Sequence, residues 1–233
     1  MFLDRFHTIQ NGLIRISPAQ ASQFAREIAG DYNPIHNPDD RRFCVPGDLL
    51  FALVLGQYGL SQEMTFRFRN LLGGNVDLEF REEEDGTIRV FDTGGKLYLE
   101  VSRGGEHTSD VTVIENFSRC YVAASGKNFP HTFKPLLERK GVMFNPDRPM
   151  VIYESMSLSL ERVDIPSPSL DMHNADMEVA GKRGNALLEY RVTSGGQPVG
   201  FVAKKIVVSG LREYDPEVMD QVVAQFNRLK EGS

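Results

Sequence analysis

Cysteine is scarce in this sequence, and its scarcity excludes several classes of protein. Only Cys44 and Cys120 are present among 233 residues, and they do not have the spacing of a metal-binding motif. A disulfide-stabilised scaffold and a zinc centre are therefore not expected, and the default interpretation is two buried, inert thiols in a reducing compartment. The sequence predicts neither a bound metal nor a cofactor.

Clustered positive charge and long apolar runs are also lacking. The formal net charge is -6, which argues against nucleic acid as a partner because phosphate contacts require grouped lysines and arginines. The longest apolar stretch, residues 49–60, is interrupted by glycine and is shorter than the roughly 20 residues that cross a bilayer. The first seven residues contain no apolar signal core. We therefore expect a cytoplasmic protein with no membrane partner.

Two common catalytic motifs are absent, a G-x-S-x-G elbow and a glycine-rich phosphate loop before a helix. Residues 29–38 instead read A-G-D-Y-N-P-I-H-N-P, which places Asp31 and His36 five positions apart. A residue before proline is kept out of the α region, so Asn33 and Asn37 hold the backbone extended on either side of His36. An imidazole held rigidly beside a carboxylate is a usual acid–base pair for proton transfer near neutral pH.

The segment after this loop has the composition of a buried helix. It is introduced by Pro46-Gly47-Asp48 and contains no further charged residue until Glu63. We predict a helix from Asp48 to about Gln62, with Asp48 as its N-cap. Because a helix that is apolar on every side must be buried on every side, we expect a sheet to wrap around it.

The sequence G-D-Y-N-P-I-H, followed by a glycine that opens an apolar helix, resembles the motif of the MaoC-like, R-specific enoyl-CoA hydratases (hydratase 2), as a divergent bacterial branch. The resemblance implies the hot-dog fold, an antiparallel sheet wrapped around one helix. It also implies that Asp31 and His36 activate a water molecule, that Asn33 supports them, and that the Gly47 N–H polarises a thioester carbonyl. The family usually has His-Gly-Met where this sequence has Pro46-Gly47-Asp48.

Further residues around the motif are candidates for substrate binding. Arg41 and Arg42 either hold the phosphates of coenzyme A or form a solvated pair that balances Asp39 and Asp40. Tyr58, within the apolar helix, either reaches an acyl pocket or is a core aromatic residue. The candidate substrate-binding set is Pro34, Arg41, Arg42, Asp48 and Tyr58. A metal site formed by Asp31, His36, Asp39 and Asp40 is a weaker alternative because it has one histidine and no thiolate.

The order of the predicted elements indicates an α+β protein with a double hot-dog whose second half is degenerate. Ser17 and Gln20 form a capping box at the start of a first helix, and Gly30 ends it. Strands are predicted at residues 65–71, 76–82, 87–93, 96–103, 111–123, 150–163, 171–179, 186–194 and 199–209. We divide the chain into a MaoC-like domain, residues 1–125, and a second hot-dog-like half, residues 126–233, which ends in a helix at 215–230.

Three functions are consistent with these features. The first is an enoyl-thioester hydratase or dehydratase that adds an Asp31- and His36-activated water across a trans-2-enoyl thioester. The second is a non-catalytic hot-dog protein that binds an acyl thioester or another protein, which Pro46 and Asp48 at the helix start favour. The third is a thioesterase that uses Asp48. The expected partners are acyl-CoA or another acyl thioester and, by analogy with other hot-dog proteins, a second copy of the chain.

Overall fold

A computed structural model describes residues 2–231, whose strands form one large antiparallel sheet and one short two-stranded ladder. In chain order the strands are β1 (Thr8–Gln10), β2 (Leu13–Arg15), β3 (Leu60–Phe68), β4 (Asp77–Glu82), β5 (Ile88–Asp92), β6 (Leu97–Thr108), β7 (Val142–Met143), β8 (Met150–Leu160), β9 (Pro168–Ala180), β10 (Arg183–Ser194), β11 (Gln197–Ser209) and β12 (Arg212–Glu213). The order of strands in the large sheet is β1-β2-β4-β5-β6-β3-β8-β11-β10-β9, and every adjacent pair is antiparallel.

Most of the helices lie between these strands in the chain, while a 3₁₀ turn (Asp4–Phe6) precedes the first strand and one helix follows the last. No helix within residues 2–231 is both long enough and apolar enough to cross a bilayer. The helices are α1 (Pro18–Phe24), which continues as a π-helical turn (Ala25–Ala29), a 3₁₀ turn (Pro34–His36), α2 (Gly47–Tyr58), α3 (Val111–Gly126), α4 (Phe133–Arg139) and α5 (Pro216–Glu231).

Helix α2 is the centre of the hydrophobic core. Eight successive residues, from Asp48 to Leu55, are buried, so the helix has no solvated face over this length. The Phe51 ring stacks on Tyr121 of α3 with 4.1 Å between centroids and lies 4.7 Å from the Phe66 ring of β3. A helix enclosed in this way by an antiparallel sheet is the hot-dog arrangement, and the predicted α+β fold class is confirmed.

The two parts of the chain share one sheet because β3 pairs with β8. The register runs from Glu63 opposite Ser159 to Arg67 opposite Ser155. This pairing brings strands from both predicted halves into one layer, with α2 and α3 in contact beside it. A cavity between the loop before α2 and the start of β8 is therefore lined by residues that are more than 100 positions apart.

The predicted strand over residues 111–123 is wrong, because this segment is helix α3. Asp110 caps the helix, and its carboxylate accepts hydrogen bonds from the N–H groups of Thr112 (2.8 Å) and Val113 (3.0 Å). The buried residues then follow a helical spacing, with Phe117 and Tyr121 four positions apart on the inner face. The β-branched residues at the start of the segment favour a strand, but the cap and the core contacts outweigh that preference.

The local prediction for α1 is confirmed. Ser17 and Gln20 form the capping box, with each side chain bonded to the other residue's backbone N–H. Gly30 ends the helical segment in the left-handed conformation, at φ 63°. The Asp31 N–H then donates to the Ala25 carbonyl at 2.8 Å, so the loop that carries Asp31 and His36 begins directly at a helix end.

A close approach of α3 to this helix end gives a testable prediction for Gly126. A Cβ atom on Gly126 would lie 2.0 Å from the Ala29 carbonyl oxygen and 2.5 Å from that of Gly30. We expect Gly126→Ala to lower the free energy of unfolding by roughly 3 kcal/mol, because the clash is with backbone that cannot move aside cheaply. Urea unfolding monitored by circular dichroism measures the change.

Gly56 provides the matched control, since it is also a helical glycine. A Cβ atom there would meet Leu3 Cδ1 at 3.4 Å, which is ordinary contact. Gly56→Ala is expected to be neutral or to stabilise the protein by up to about 1 kcal/mol through helix propensity. Equal stability of the two alanine variants would contradict the proposed close packing of α3 on the loop.

Candidate active site

A cavity of about 390 Å³ lies between the 31–36 loop, the N-terminus of α2, the end of α3, and strands β3 and β8. Its volume falls in the range of small-molecule binding sites, and its lining is largely apolar with a few polar groups. Asp31, Asn33, His36 and Gly47 all line it. The structure therefore brings together the four residues that the sequence predicts to be catalytic.

The His36 ring is fixed by a hydrogen bond to the protein backbone. Its Nδ1 lies 2.8 Å from the Cys44 carbonyl oxygen. Because a carbonyl can only accept, Nδ1 must carry the hydrogen, and in neutral imidazole the lone pair is then on Nε2. Nε2 faces the Asp31 carboxylate, with 3.6 Å between Nε2 and Oδ2. That separation is too long for a direct hydrogen bond, but one water molecule can bind both atoms.

Asn33 holds the loop that carries this pair. Its backbone N–H donates to Asp31 Oδ1 at 2.8 Å, which leaves Oδ2 to face His36. Its side-chain oxygen accepts from the Ile35 N–H at 3.3 Å, and its side-chain amide donates to the Val151 carbonyl of β8 at 3.4 Å. Asn33 thus fixes the direction of the Asp31 carboxylate and anchors the loop to the strand across the cavity.

The two cysteines differ in their surroundings. Burial, followed by the nearby Asp31 and Asp40 carboxylates, raises the pKa of the Cys44 thiol to about 12, so the thiol is not a nucleophile at neutral pH. Cys44 contributes to the site through its carbonyl. The prediction that both thiols are buried is wrong for Cys120, which is half-buried on α3 because it lies near the boundary between the inner and outer faces of that helix.

Gly47 is the first residue of α2, and Pro46 occupies the N-cap position. The predicted N-cap role of Asp48 is wrong, because Asp48 is the second helical residue and its carboxylate points into the protein interior. A Cβ atom on Gly47 would lie 3.0 Å from the Phe68 ring and 3.1 Å from the Tyr153 ring. The absence of a side chain therefore lets the start of the helix pack closely against these two rings, which would have to shift to admit a Cβ atom.

Asp48 is paired with a buried lysine that the sequence analysis did not identify. Asp48 is 1% exposed, and its Oδ1 lies 3.5 Å from Nζ of Lys204 on β11, which is completely buried. Tyr153 donates its hydroxyl to Asp48 Oδ2 at 3.2 Å, and Lys204 Nζ donates to Ser125 Oγ at 2.5 Å and to the Tyr121 carbonyl at 3.1 Å. Burial raises the pKa of Asp48 and lowers the pKa of Lys204.

The five predicted substrate-binding residues do not line the cavity. Tyr58 ends α2 at the opposite end from Gly47, and Asp48 is enclosed as described. Pro34 and Arg41 are exposed, because their side chains lie on the outer side of the loop. Arg42 is half-buried, and its Nε lies 3.9 Å from Asp40 Oδ1, so the interpretation of a pair that balances the aspartates matches this placement better than phosphate binding.

The second part of the chain supplies most of the apolar wall. The segment at 126–149 and helix α5 both reach the cavity. Among the described residues 2–231, no group of three or more His, Cys, Asp or Glu side chains is arranged to hold a metal ion. The lining residues that the sequence analysis missed include Phe68, Ser125, Asn128, Phe129, Phe133, Phe144, Tyr153 and Phe226.

The fold and the cavity together define a hot-dog protein with an aspartate and a histidine side by side in a cavity at the start of its central helix. The chain belongs to the family described as "Protein of unknown function (DUF3581)", whose model matches residues 1–217. No curated protein matches the sequence.

Similar solved structures include an acyl-CoA thioesterase II TesB2 from Mycobacterium marinum, 12% identical, with a TM-score of 0.44 over 93% of this chain and 100% of that one. A MaoC-like dehydratase is 9% identical, with a TM-score of 0.44 over 90% and 99% of the two chains. The peroxisomal multifunctional enzyme type 2 from Drosophila melanogaster is 12% identical, with a TM-score of 0.41 over 86% of this chain and 48% of that one. These likenesses are too distant to assign a function.

Proposed function

We propose that the protein is an enoyl-thioester hydratase, which also catalyses the reverse dehydration. The observation that carries the proposal is the arrangement of His36. Its Nδ1 is tied to the Cys44 carbonyl, so the Nε2 lone pair is directed toward Asp31 Oδ2, 3.6 Å away, inside a cavity. Two acceptors at this separation are suited to hold one water molecule by both of its hydrogens.

The reaction follows from the positions of these groups. His36 Nε2 takes a proton from the water while Asp31 holds its other hydrogen, and the oxygen forms a bond to C3 of the trans-2-enoyl thioester. The electron pair of the double bond moves toward the thioester carbonyl, whose oxygen gains negative charge. The Gly47 N–H at the positive end of α2 stabilises that charge, and the proton held by His36 is delivered to C2. The net change is the addition of one water molecule.

The cavity suits an acyl chain. Its apolar wall includes the rings of Phe129, Phe133, Phe144 and Phe226, and the Phe129 and Phe226 rings are in edge-to-face contact at 5.2 Å. An acyl thioester presents an apolar chain with one polar carbonyl, and the cavity has the same division between an apolar wall and the polar residues near α2. The alternative thioesterase role of Asp48 is disfavoured because that carboxylate is enclosed and is already bonded to Tyr153.

The experiment that tests this proposal is the hydration of short trans-2-enoyl-CoA thioesters by the purified full-length protein. We expect loss of the ultraviolet absorbance of the conjugated enoyl thioester with a kcat of about 1–1000 s⁻¹, the ordinary range for enzymes. The product is expected to be a single enantiomer of the 3-hydroxyacyl thioester, because the cavity fixes the face of attack. Release of free thiol without loss of the double bond would instead indicate a thioesterase.

A further inference from the structure

We propose that Ser125 is a further catalytic residue: its hydroxyl is a second hydrogen-bond donor to the thioester oxygen, beside the Gly47 N–H, and Lys204 strengthens it. This inference rests on the proposed function and deepens it. Ser125 lies in the last turn of α3, far from the 31–47 motif in the sequence, and nothing in that motif points to it.

Ser125 is placed where a substrate can reach it. It lines the cavity while only 7% of its surface is exposed. Its Oγ lies 2.5 Å from Nζ of the buried Lys204. A hydroxyl in this position is accessible to a ligand in the cavity while it is largely shielded from bulk water.

The direction of the hydrogen bonds makes Ser125 a donor. An ammonium group has donors only, so the Ser125 oxygen accepts from Lys204 and its own hydrogen remains available. A hydroxyl that accepts from a cation is polarised, and this strengthens the bond that it donates in turn. Asp48 is the anion on the protein side: its Oδ2 accepts from the Tyr153 hydroxyl, and no donor among the described residues bonds its Oδ1. Asp48 is therefore a competing acceptor for the Ser125 hydrogen, and Ser125 is one of the groups that lower the pKa of this carboxyl. A thioester oxygen that enters the cavity then offers the Ser125 hydrogen an acceptor on the other side.

Ser125 and Gly47 belong to the same end of the cavity. Tyr153 connects them, because its ring lies against Gly47 and its hydroxyl is bonded to Asp48, the residue that follows Gly47. Lys204 completes the connection by contacting both Asp48 and Ser125. One substrate oxygen at the start of α2 is therefore expected to receive hydrogen bonds from both the backbone and the serine.

Lys204 also explains how the site can contain an acidic residue, Asp48, in the first turn of α2. A carboxylate at this position would oppose the negative charge that develops on a nearby thioester oxygen. The Lys204 ammonium lies 3.5 Å from that carboxylate and offsets its charge, so the helix N-terminus keeps its positive character. In the proposed step Ser125 stabilises the charged oxygen by a hydrogen bond only: no bond to its oxygen forms, and its proton is not lost.

The test compares Ser125→Ala with Ser125→Thr and with Ser118→Ala in the full-length protein. Ser118 is the matched control, because it is a buried hydroxyl on the same helix that does not line the cavity. We expect Ser125→Ala to lower kcat for hydration by about 100-fold, the usual effect of removing one oxyanion donor, with little change in KM. Ser125→Thr is expected to retain most of the activity, and Ser118→Ala all of it. An unchanged kcat in Ser125→Ala overturns the inference while leaving the hydratase proposal intact.

A second measurement detects the hydrogen bond without requiring turnover. The infrared carbonyl stretch of a ¹³C-labelled enoyl-CoA is recorded on Asp31→Asn protein, with and without Ser125→Ala. We expect the bound carbonyl to absorb at lower frequency than in water, and removal of the Ser125 hydroxyl to reverse part of that shift. Should the wild-type protein hydrate nothing, the hydratase proposal fails, yet this shift still decides whether Ser125 contacts the carbonyl. A carbonyl stretch that Ser125→Ala leaves unchanged, or a covalent acyl group found on Ser125 by mass spectrometry, overturns the donor role.

Discussion

Replacing His36 with glutamine is expected to lower kcat for enoyl-thioester hydration by about 1000-fold, within the range for loss of a general base. Glutamine can keep a donor near the Cys44 carbonyl and fills a similar volume, but it cannot take a proton from water. Because the apolar wall of the cavity is unchanged, KM should change little. Stopped or continuous absorbance assays with a short trans-2-enoyl-CoA measure both constants.

Two further variants make this result specific. Asp31→Asn should give a loss of similar size, since it removes the charge that holds the water and supports the protonated imidazole at 3.6 Å. His107→Gln is the control, because His107 is exposed on β6 and should leave kcat unchanged. If His36→Gln retains a tenth or more of the wild-type activity, the acid–base assignment is wrong. If the wild type binds thioesters without hydrating them and the variant binds equally well, the non-catalytic alternative is correct.

The sequence was sufficient to predict the part of the site that is built locally. The capping box at Ser17, the left-handed Gly30 and the prolines around His36 act over a few residues, and their effects can be read from the order of those residues. The apolar composition of α2 likewise predicts its burial. The hot-dog fold follows from that helix and the strands after it.

The remainder of the site depends on contacts between distant parts of the chain, and local patterns do not show these contacts. Asn33 bonds the carbonyl of Val151, 118 positions away, and the role of Asp48 as an N-cap fails because its carboxylate has an interior partner in Lys204. One signal for Lys204 was present. It lies between Val202 and Ile206 in an alternating strand, on the face that is buried, so a charged residue there must have a partner.

The buried pair of Asp48 and Lys204 gives the second large expected effect, on stability. Lys204→Met should lower the free energy of unfolding at pH 8 by about 3–5 kcal/mol, because it leaves the Asp48 carboxylate enclosed without its counter-charge. At pH 5 the same substitution should lower the free energy of unfolding by less. Burial already raises the pKa of Asp48, and Lys204 is the main group that lowers it, so removal of Lys204 raises the pKa of Asp48 further. Chemical denaturation at the two pH values measures the difference.

The sign of this pH dependence follows from proton binding. With its pKa raised in the folded state, Asp48 binds more protons folded than unfolded at pH values above the ordinary carboxyl range, so stability falls as pH rises through that interval. Asp48→Asn combined with Lys204→Met should recover much of the lost stability and remove the pH dependence, because neither buried charge remains. Lys205→Met is the control, since Lys205 is the next residue and is exposed on the opposite face. A Lys204 variant no less stable than the Lys205 variant at pH 8 would show that Asp48 does not depend on this lysine.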